Sequence, residues 1–232
     1  RSWLPGTHGP LLVDPGDATP ILERFGNAAS LTAILLTHHH DDHIGGVAAL
    51  LERWPNTPVI APHEPRIPFA TQRVSAGDVV DVDAYRFNVI EVHGHTRSHI
   101  AYHGHGLLFC GDALFSLGCG RMFEGEPQQF WESLSRIKAL PPETLLYCAH
   151  EYTASNARFA LHADPDNAAL QAYAEEIAAK RARDEWTVPT DLARELATNP
   201  FLRADDPALM AKWGGSTPAE TFAALRSAKD TF

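Results

Sequence analysis

The sequence predicts a mixed α/β chain whose last third is helical, on two observations. Through the first two-thirds, short β-branched or leucine-rich runs alternate with turn clusters and helical patterns. After His150 the texture changes, with no strand-like run and with apolar residues recurring at helical spacing. At 232 residues and 44% hydrophobic composition, the chain is long enough to bury a substantial core, as one large domain or a domain with an appendage.

Along the chain, Leu11 to Val13 is the first strand-like run. Ile21, Leu22 and Phe25 then read as one helix face stopped by Gly26. Leu31 to Thr37 reads as a strand, and Val47, Leu50, Leu51 and Trp54 as a helix stopped by Pro55. Further strands are predicted over Pro58 to Ala61, Phe87 to His93, Ile100 to His103, Leu107 to Cys110 and Thr144 to Cys148. In the tail, Leu170, Tyr173, Ala174 and Ile177 mark one helix. A last helix is expected from Thr217, with Pro218 at its first position, Glu220 completing a capping box, and Phe222 and Leu225 inward. The change of texture places a boundary near Tyr152, giving one domain over 1–152 and a helical domain over 153–232. Gly214-Gly215-Ser216 is the loop before the last helix.

A formal net charge of -10 argues against nucleic acid, because phosphate binding needs a lysine and arginine surplus. No run approaches the roughly 20 apolar residues that cross a bilayer, so a soluble protein without a membrane partner is expected. Cys110, Cys119 and Cys148 are an odd number without CxxC spacing, which fits a reducing cytoplasm better than a disulfide framework. Cys110 and Cys148 lie in apolar runs and should be buried. Cys119 between two glycines reads as a packing residue in a tight turn. The chain opens at Arg1 with neither an initiator Met nor an apolar signal core, which points to a few residues upstream.

The chemistry is concentrated in Thr37-His38-His39-His40-Asp41-Asp42-His43-Ile44-Gly45-Gly46, where an apolar strand runs into imidazoles and carboxylates. Ligands are commonly presented on such loops. A solvated turn has no reason to gather four histidines in six residues, whereas neutral imidazole and carboxylate suit zinc, iron and manganese. Alternation sends His38 and His40 to one side, and Asp42 with His43 to a neighbouring point, so two metals are expected. His39 and Asp41 fall out of phase, as outward or supporting groups, Asp41 being able to orient a ligand imidazole. The segment cannot complete two sites, and His95, Asp112 and His150 each follow directly on an apolar strand. His8, His63, His103, His105 and His162 lack this context and are expected as surface or packing residues, with His99 at best a supporting one.

These residues resemble the metallo-β-lactamase superfamily, whose H-x-H-x-D-H signature stands here at 38–43. Within it the chain is similar to the glyoxalase II (hydroxyacylglutathione hydrolase) family. The motifs are T-H-H-H-D-D-H-x-G-G at 37–46, G-H-T at 94–96, G-D-A-L-F at 111–115 and G-C-G-R at 118–121. They continue as F-E-G at 123–125, H-E-Y-T at 150–153 and N-P-F-L-R at 199–203. The resemblance implies an αββα sandwich with a helical C-terminal domain that contributes to the substrate pocket. It further implies one metal on His38, His40 and His95, a second on Asp42, His43 and His150, and Asp112 bridging them. Zinc is the first expectation, with iron or manganese as alternatives. Carrying the family's glutathione contacts over gives Arg121, Phe123, Tyr152 and Arg203. Two departures stand out: Phe123 replaces a frequent tyrosine, and Ala204-Asp205-Asp206 follows Arg203 where some members have a further basic residue.

The function so implied is hydrolysis of a glutathione thioester, S-D-lactoylglutathione first, by a bridging hydroxide that Asp42 helps to orient, in a monomeric enzyme of methylglyoxal detoxification. The alternatives are a hydrolase of other thioesters, or a glutathione persulfide dioxygenase with one iron. The long helical tail argues against the latter.

Overall fold

The computed structural model describes residues 2–7 and 9–232; His8, expected at the surface or in packing, lies outside them. The chain folds as two compact units, one of Arg1–Glu91 with Ser98–Gly111 and a second of Val92–Arg97 with Asp112–Phe232.

The first unit begins with β1 (Ser2–Leu4), β2 (Leu11–Val13), α1 (Thr19–Phe25), β3 (Ala33–Leu35), α2 (Asp41–Ile44), α3 (Val47–Arg53), β4 (Val59–Pro62) and β5 (Gln72–Val74). The sheet order is β1-β2-β3-β4-β5, with β1 antiparallel to β2 and the other pairs parallel. Every residue of β2, β3 and β4 is buried, which is why they read as unbroken apolar runs. Leu12, Ile34, Leu36, Val59 and Ala61 form one core with Val47, Leu50 and Trp54, against which Ile21, Leu22 and Phe25 of α1 also pack. A meander completes the unit: β6 (Val79–Val82), β7 (Tyr85–Glu91), β8 (Ile100–Gly104) and β9 (Leu107–Gly111) pair antiparallel in succession. The buried Tyr102 hydroxyl of β8 lies 3.0 Å from Leu36 O and 3.2 Å from Ile60 O, tying the meander to the first sheet.

Glu64 is a buried acid of this unit. Its carboxylate accepts from Arg66 Nε and Nη2, each at 2.8 Å, and from Ser98 Oγ at 2.7 Å. The Arg66 hydrogen bonds hold its pKa down from the usual 4.5 to about 2. A folded pKa below the unfolded one adds stability that is complete above about 4.5 and is lost as pH falls towards 2. The full span corresponds to about 3 kcal/mol, and screening of the half-exposed Arg66 brings the expectation to about 2 kcal/mol. Urea midpoints measured between pH 7 and pH 2.5 should fall more steeply for the parent than for Glu64→Gln; parallel slopes would refute this.

The second unit holds β10 (Leu114–Phe115), β11 (Gly118–Cys119), α4 (Pro127–Lys138), β12 (Leu145–Cys148), α5 (Thr153–Ala163), α6 (Ala168–Arg181), β13 (Thr190–Asp191), α7 (Leu192–Thr198), α8 (Pro207–Trp213) and α9 (Pro218–Thr231). The tail is therefore helical except for β13, which pairs antiparallel with β12 and which its two residues were too few to announce. The capping box expected at Thr217 and Glu220 is present, Pro218 opens α9, and Phe222 and Leu225 are buried.

The β10–β11 hairpin that follows Asp112 is held by buried polar side chains of this unit. Asn199 Nδ2 donates to Phe115 O and Gly118 O, each at 3.1 Å, and Asn156 Nδ2 to Ser116 O at 3.0 Å. The fully buried Glu195 accepts from Leu117 N at 2.8 Å and Ser116 Oγ at 2.9 Å, and its burial pushes its pKa up. No helix among the described residues is long and apolar enough to cross a membrane.

Candidate metal centre

In the first unit, β3 delivers the chain into the histidine cluster, and α2 supplies one helical turn carrying Asp42 and His43. His38 and His43 are buried, His40 is half-buried, and Asp42 is exposed. His38 Nε2 and His40 Nδ1 converge at 3.2 Å, and His43 Nε2 lies 3.9 Å from Asp42 Oδ2.

Asp14 governs this half of the site. It stands just after β2 at φ 49 and accepts from Thr37 N and Thr37 Oγ1, each at 2.8 Å, and from His43 Nδ1 at 3.0 Å. Because Thr37 spends its one hydroxyl proton on Asp14, its oxygen accepts from His38 Nδ1 at 3.0 Å. One carboxylate thus places the ring proton of both His38 and His43 on Nδ1 and leaves each Nε2 lone pair for a metal. Asp14, His38 and His43 present donor atoms within 4.8 Å of one another. With its oxygens engaged by Thr37 and His43, however, Asp14 is an orienting group. Sequence reading gave that role to Asp41, which is exposed at the start of α2 and makes no such bond among the described residues.

His99 is buried and stacks on His38, ring centroids 4.5 Å apart at 15°. Gly111, at φ +50, could not carry a side chain: a Cβ there would sit 2.3 Å from Thr37 Oγ1 and 2.8 Å from the His99 ring. The His39 side chain is mostly buried, with Nδ1 3.9 Å from Glu64 Oε2.

In the second unit, Asp112 is buried between two imidazoles. Its Oδ2 lies 3.5 Å from His95 Nε2 and its Oδ1 lies 3.4 Å from His150 Nε2, so each oxygen faces a different ring. His95 Nδ1 donates to Arg121 O at 2.7 Å, which fixes the ring proton there and turns the Nε2 lone pair towards Asp112. The donor set therefore fits first-row divalent ions: neutral imidazoles with fixed protons, and carboxylates within reach.

Around these ligands, Tyr152 stacks on His150 at 4.8 Å and Phe123 packs edge-on against His95 at 5.4 Å; both aromatics are exposed. Arg121 is half-exposed, bonded through Nε to Asp230 Oδ1 at 3.2 Å, and its guanidinium carbon lies 6.0 Å from the Phe123 ring. Arg203 is placed otherwise. It forms ion pairs with Asp164 and with Asp206 Oδ2, the latter at 2.6 Å, and Asp206 also caps α8. Of the two acidic residues after Arg203, Asp206 acts on it directly and with Asp164 occupies the guanidinium, whereas Asp205 pairs with Lys138 Nζ at 2.7 Å. Cys110, Cys119 and Cys148 are buried and outside any disulfide, and burial pushes the Cys119 thiol up to about 11, which disqualifies it as a nucleophile at neutral pH. His63, His105 and His162 are exposed and His103 half-buried, in keeping with surface or packing roles.

Two family models divide the chain between them. Residues 3–150 match the metallo-β-lactamase superfamily, and residues 151–232 match the hydroxyacylglutathione hydrolase C-terminus. The hydroxyacylglutathione hydrolase of Erythrobacter litoralis is 64% identical over 88% of this chain and 82% of its own, and that of Xylella fastidiosa strain 9a5c is 51% identical over 96% and 88%. The chain belongs to the hydroxyacylglutathione hydrolase family of the metallo-β-lactamase superfamily. Solved structures agree on the fold expected from the resemblance. ETHE1 from Myxococcus xanthus superposes at TM-score 0.63 with 25% identity, covering 99% of this chain and 92% of its own. TTHA1623 in a di-iron-bound form gives TM-score 0.55 at 28% identity, covering 64% and 85%. The two relatives carry the hydrolase name and the family's own C-terminal model spans the helical tail, which supports the hydrolase over the persulfide alternative.

Proposed function

We propose that this chain hydrolyses S-D-lactoylglutathione to D-lactate and glutathione with two divalent ions, zinc in the first instance. In this reading His38, His40 and His95 would hold one ion, Asp42, His43 and His150 the other, and Asp112 would serve both. The observation that carries it is that His38, His43 and His95 each have Nδ1 engaged by a partner of their own unit, with Nε2 turned to a further imidazole or carboxylate of the set. Family membership and the di-iron form of TTHA1623 support it. Residues 1–152 are read as the metal-binding part and 153–232 as the part that selects the thiol carrier. The buried thiols, outside any disulfide, fit a cytoplasmic enzyme.

When bound, the ions would lower the pKa of water from 15.7 towards about 7 and polarise the thioester carbonyl. The residues divide the remaining work. Asp42, the exposed carboxylate of the set, orients the attacking hydroxide by hydrogen bonding. Arg121, held at Nε by Asp230, turns its remaining guanidinium nitrogens to a glutathione carboxylate, and Phe123 and Tyr152 offer aromatic faces to the carrier. Arg203 joins them only by exchanging Asp164 or Asp206 for the ligand. The thiolate leaves without a protein acid, a thiol being acidic enough at about 8.5.

The test is turnover of S-D-lactoylglutathione by protein of known metal content, beside the same acyl group on a thiol without the glutathione carboxylates. Carrier-dependent turnover is expected, and none with both ions loaded would sink the proposal. Arg121→Ala should raise KM about 10-fold with kcat little changed, the size of one charge-assisted hydrogen bond. A fall in kcat at constant KM would displace Arg121 from the carrier site.

A further inference from the structure

We propose that Arg226, on the last helix, is a positioning residue for His95, acting through the backbone of residues 119–121. The inference rests on the reading above that His95 is a metal ligand.

Arg226 is 6% exposed and its buried Nε has no hydrogen-bond partner among the described residues, so its burial rests on what its two terminal nitrogens hold. Its Nη1 donates to Cys119 O at 2.9 Å and lies 3.5 Å from Gly120 O, its Nη2 pairs with Asp230 Oδ1 at 3.0 Å, and its flat face lies 5.3 Å from the Phe201 ring. A buried cation rarely adds net stability over an apolar side chain of the same volume, so stability alone does not explain it. What it grips does. The next carbonyl after Gly120 is that of Arg121, the acceptor for His95 Nδ1.

A second observation shows how tightly that backbone is coupled to the ligands. A Cβ on Gly120 would stand 1.9 Å from Asp112 O and 3.0 Å from His95 Nδ1, so the peptide held by Arg226 lies directly against both residues. A shift of a few tenths of an ångström at 119–121 would move the acceptor that sets the tautomer and the tilt of the His95 ring. Asp230 adds a further connection, because the same Oδ1 that pairs with Arg226 accepts from Arg121 Nε. The last helix thereby reaches both the metal ligand and the cation assigned to the carrier.

The experiment compares Arg226→Leu with Thr217→Ala. Thr217→Ala removes the capping box of the same helix, at about 1 kcal/mol of stability, without touching residues 119–121. Zinc affinity is measured by chelator competition, and ligand geometry by the visible absorption of the cobalt-substituted protein. Arg226→Leu is expected to weaken one of the two ions about 10–100-fold and to shift the cobalt bands, as loss of an outer hydrogen-bond partner does elsewhere. Thr217→Ala should leave both readouts at parent values. Arg226→Lys, which keeps the charge but loses the fork, should fold and fall between the two; it serves as the test if Arg226→Leu does not fold. Parent affinity for both ions in a folded Arg226 variant, or an equal loss in Thr217→Ala, would overturn the inference alone. A parent protein that holds no ion would overturn the function proposed above, and this with it.

Discussion

Replacing Asp112 with Ala should cost both bound metal and turnover, and by more than any other single change in the second unit. Asp112 is buried with one carboxylate oxygen turned to His95 and the other to His150. A carboxylate so placed is the only group of that unit's donor set able to serve both imidazoles' ions at once. Loss of an outer partner of a metal ligand typically costs about 10–100-fold, and loss of a bridging ligand must exceed that, because both ions lose a donor and a neutralising charge together. Metal content near or below one equivalent is expected after dialysis, with kcat for S-D-lactoylglutathione down by at least about 1000-fold. Asp112→Asn separates charge from shape: it keeps the volume and one acceptor oxygen, and should recover folding but not the second ion. Two full equivalents of metal in Asp112→Ala, by elemental analysis, would remove Asp112 from the centre.

The candidate donors stand out in the sequence because they follow strands. β3 and β9 are apolar runs buried nearly throughout and β12 is an apolar run buried at Leu146 and Cys148, and a polar residue after such a run stands out. The groups that orient the donors were not legible. Asp14 lies 29 residues from the His43 it binds, in a Val-Asp-Pro-Gly stretch that reads as an ordinary turn, and Arg226 lies 107 residues from Cys119. Only folding brings either pair together. Two of the strands that went unread fail for a local reason: β5 and β6 bury one residue each, Val74 and Val80, so neither shows a buried apolar run or a clear alternation. In the tail, the capping box at Thr217 was readable because its chemistry is confined to four residues. The commitment of Arg203 to Asp164 was not, since it depends on where α5 ends.

Asp14 carries the second large expectation. Asp14→Ala should weaken metal binding about 10–100-fold and also destabilise the first unit, two effects that other ligand-side changes do not combine. The stability loss follows from the donors left behind. Thr37 N, Thr37 Oγ1 and His43 Nδ1 all point at Asp14, and its replacement strands them in a buried place at about 1–3 kcal/mol each, before relaxation or entering water recovers part. The metal loss follows from the tautomers. Without the carboxylate, Thr37 no longer has to act as acceptor towards His38, and both His38 and His43 are free to move the ring proton to Nε2, the nitrogen a metal needs. Asp14→Asn discriminates between these effects. Its amide oxygen can still accept from Thr37 N, so most of the stability should return, while its NH2 group, turned to His43, favours the proton on Nε2 and keeps metal binding weak. Nitrogen-15 spectra of the imidazoles would read this directly, Nδ1-protonated in the parent and shifted towards Nε2-protonated in Asp14→Asn. Parent tautomers and parent metal affinity in a folded Asp14→Asn would show that the ions themselves, and not Asp14, set the orientation of His38 and His43.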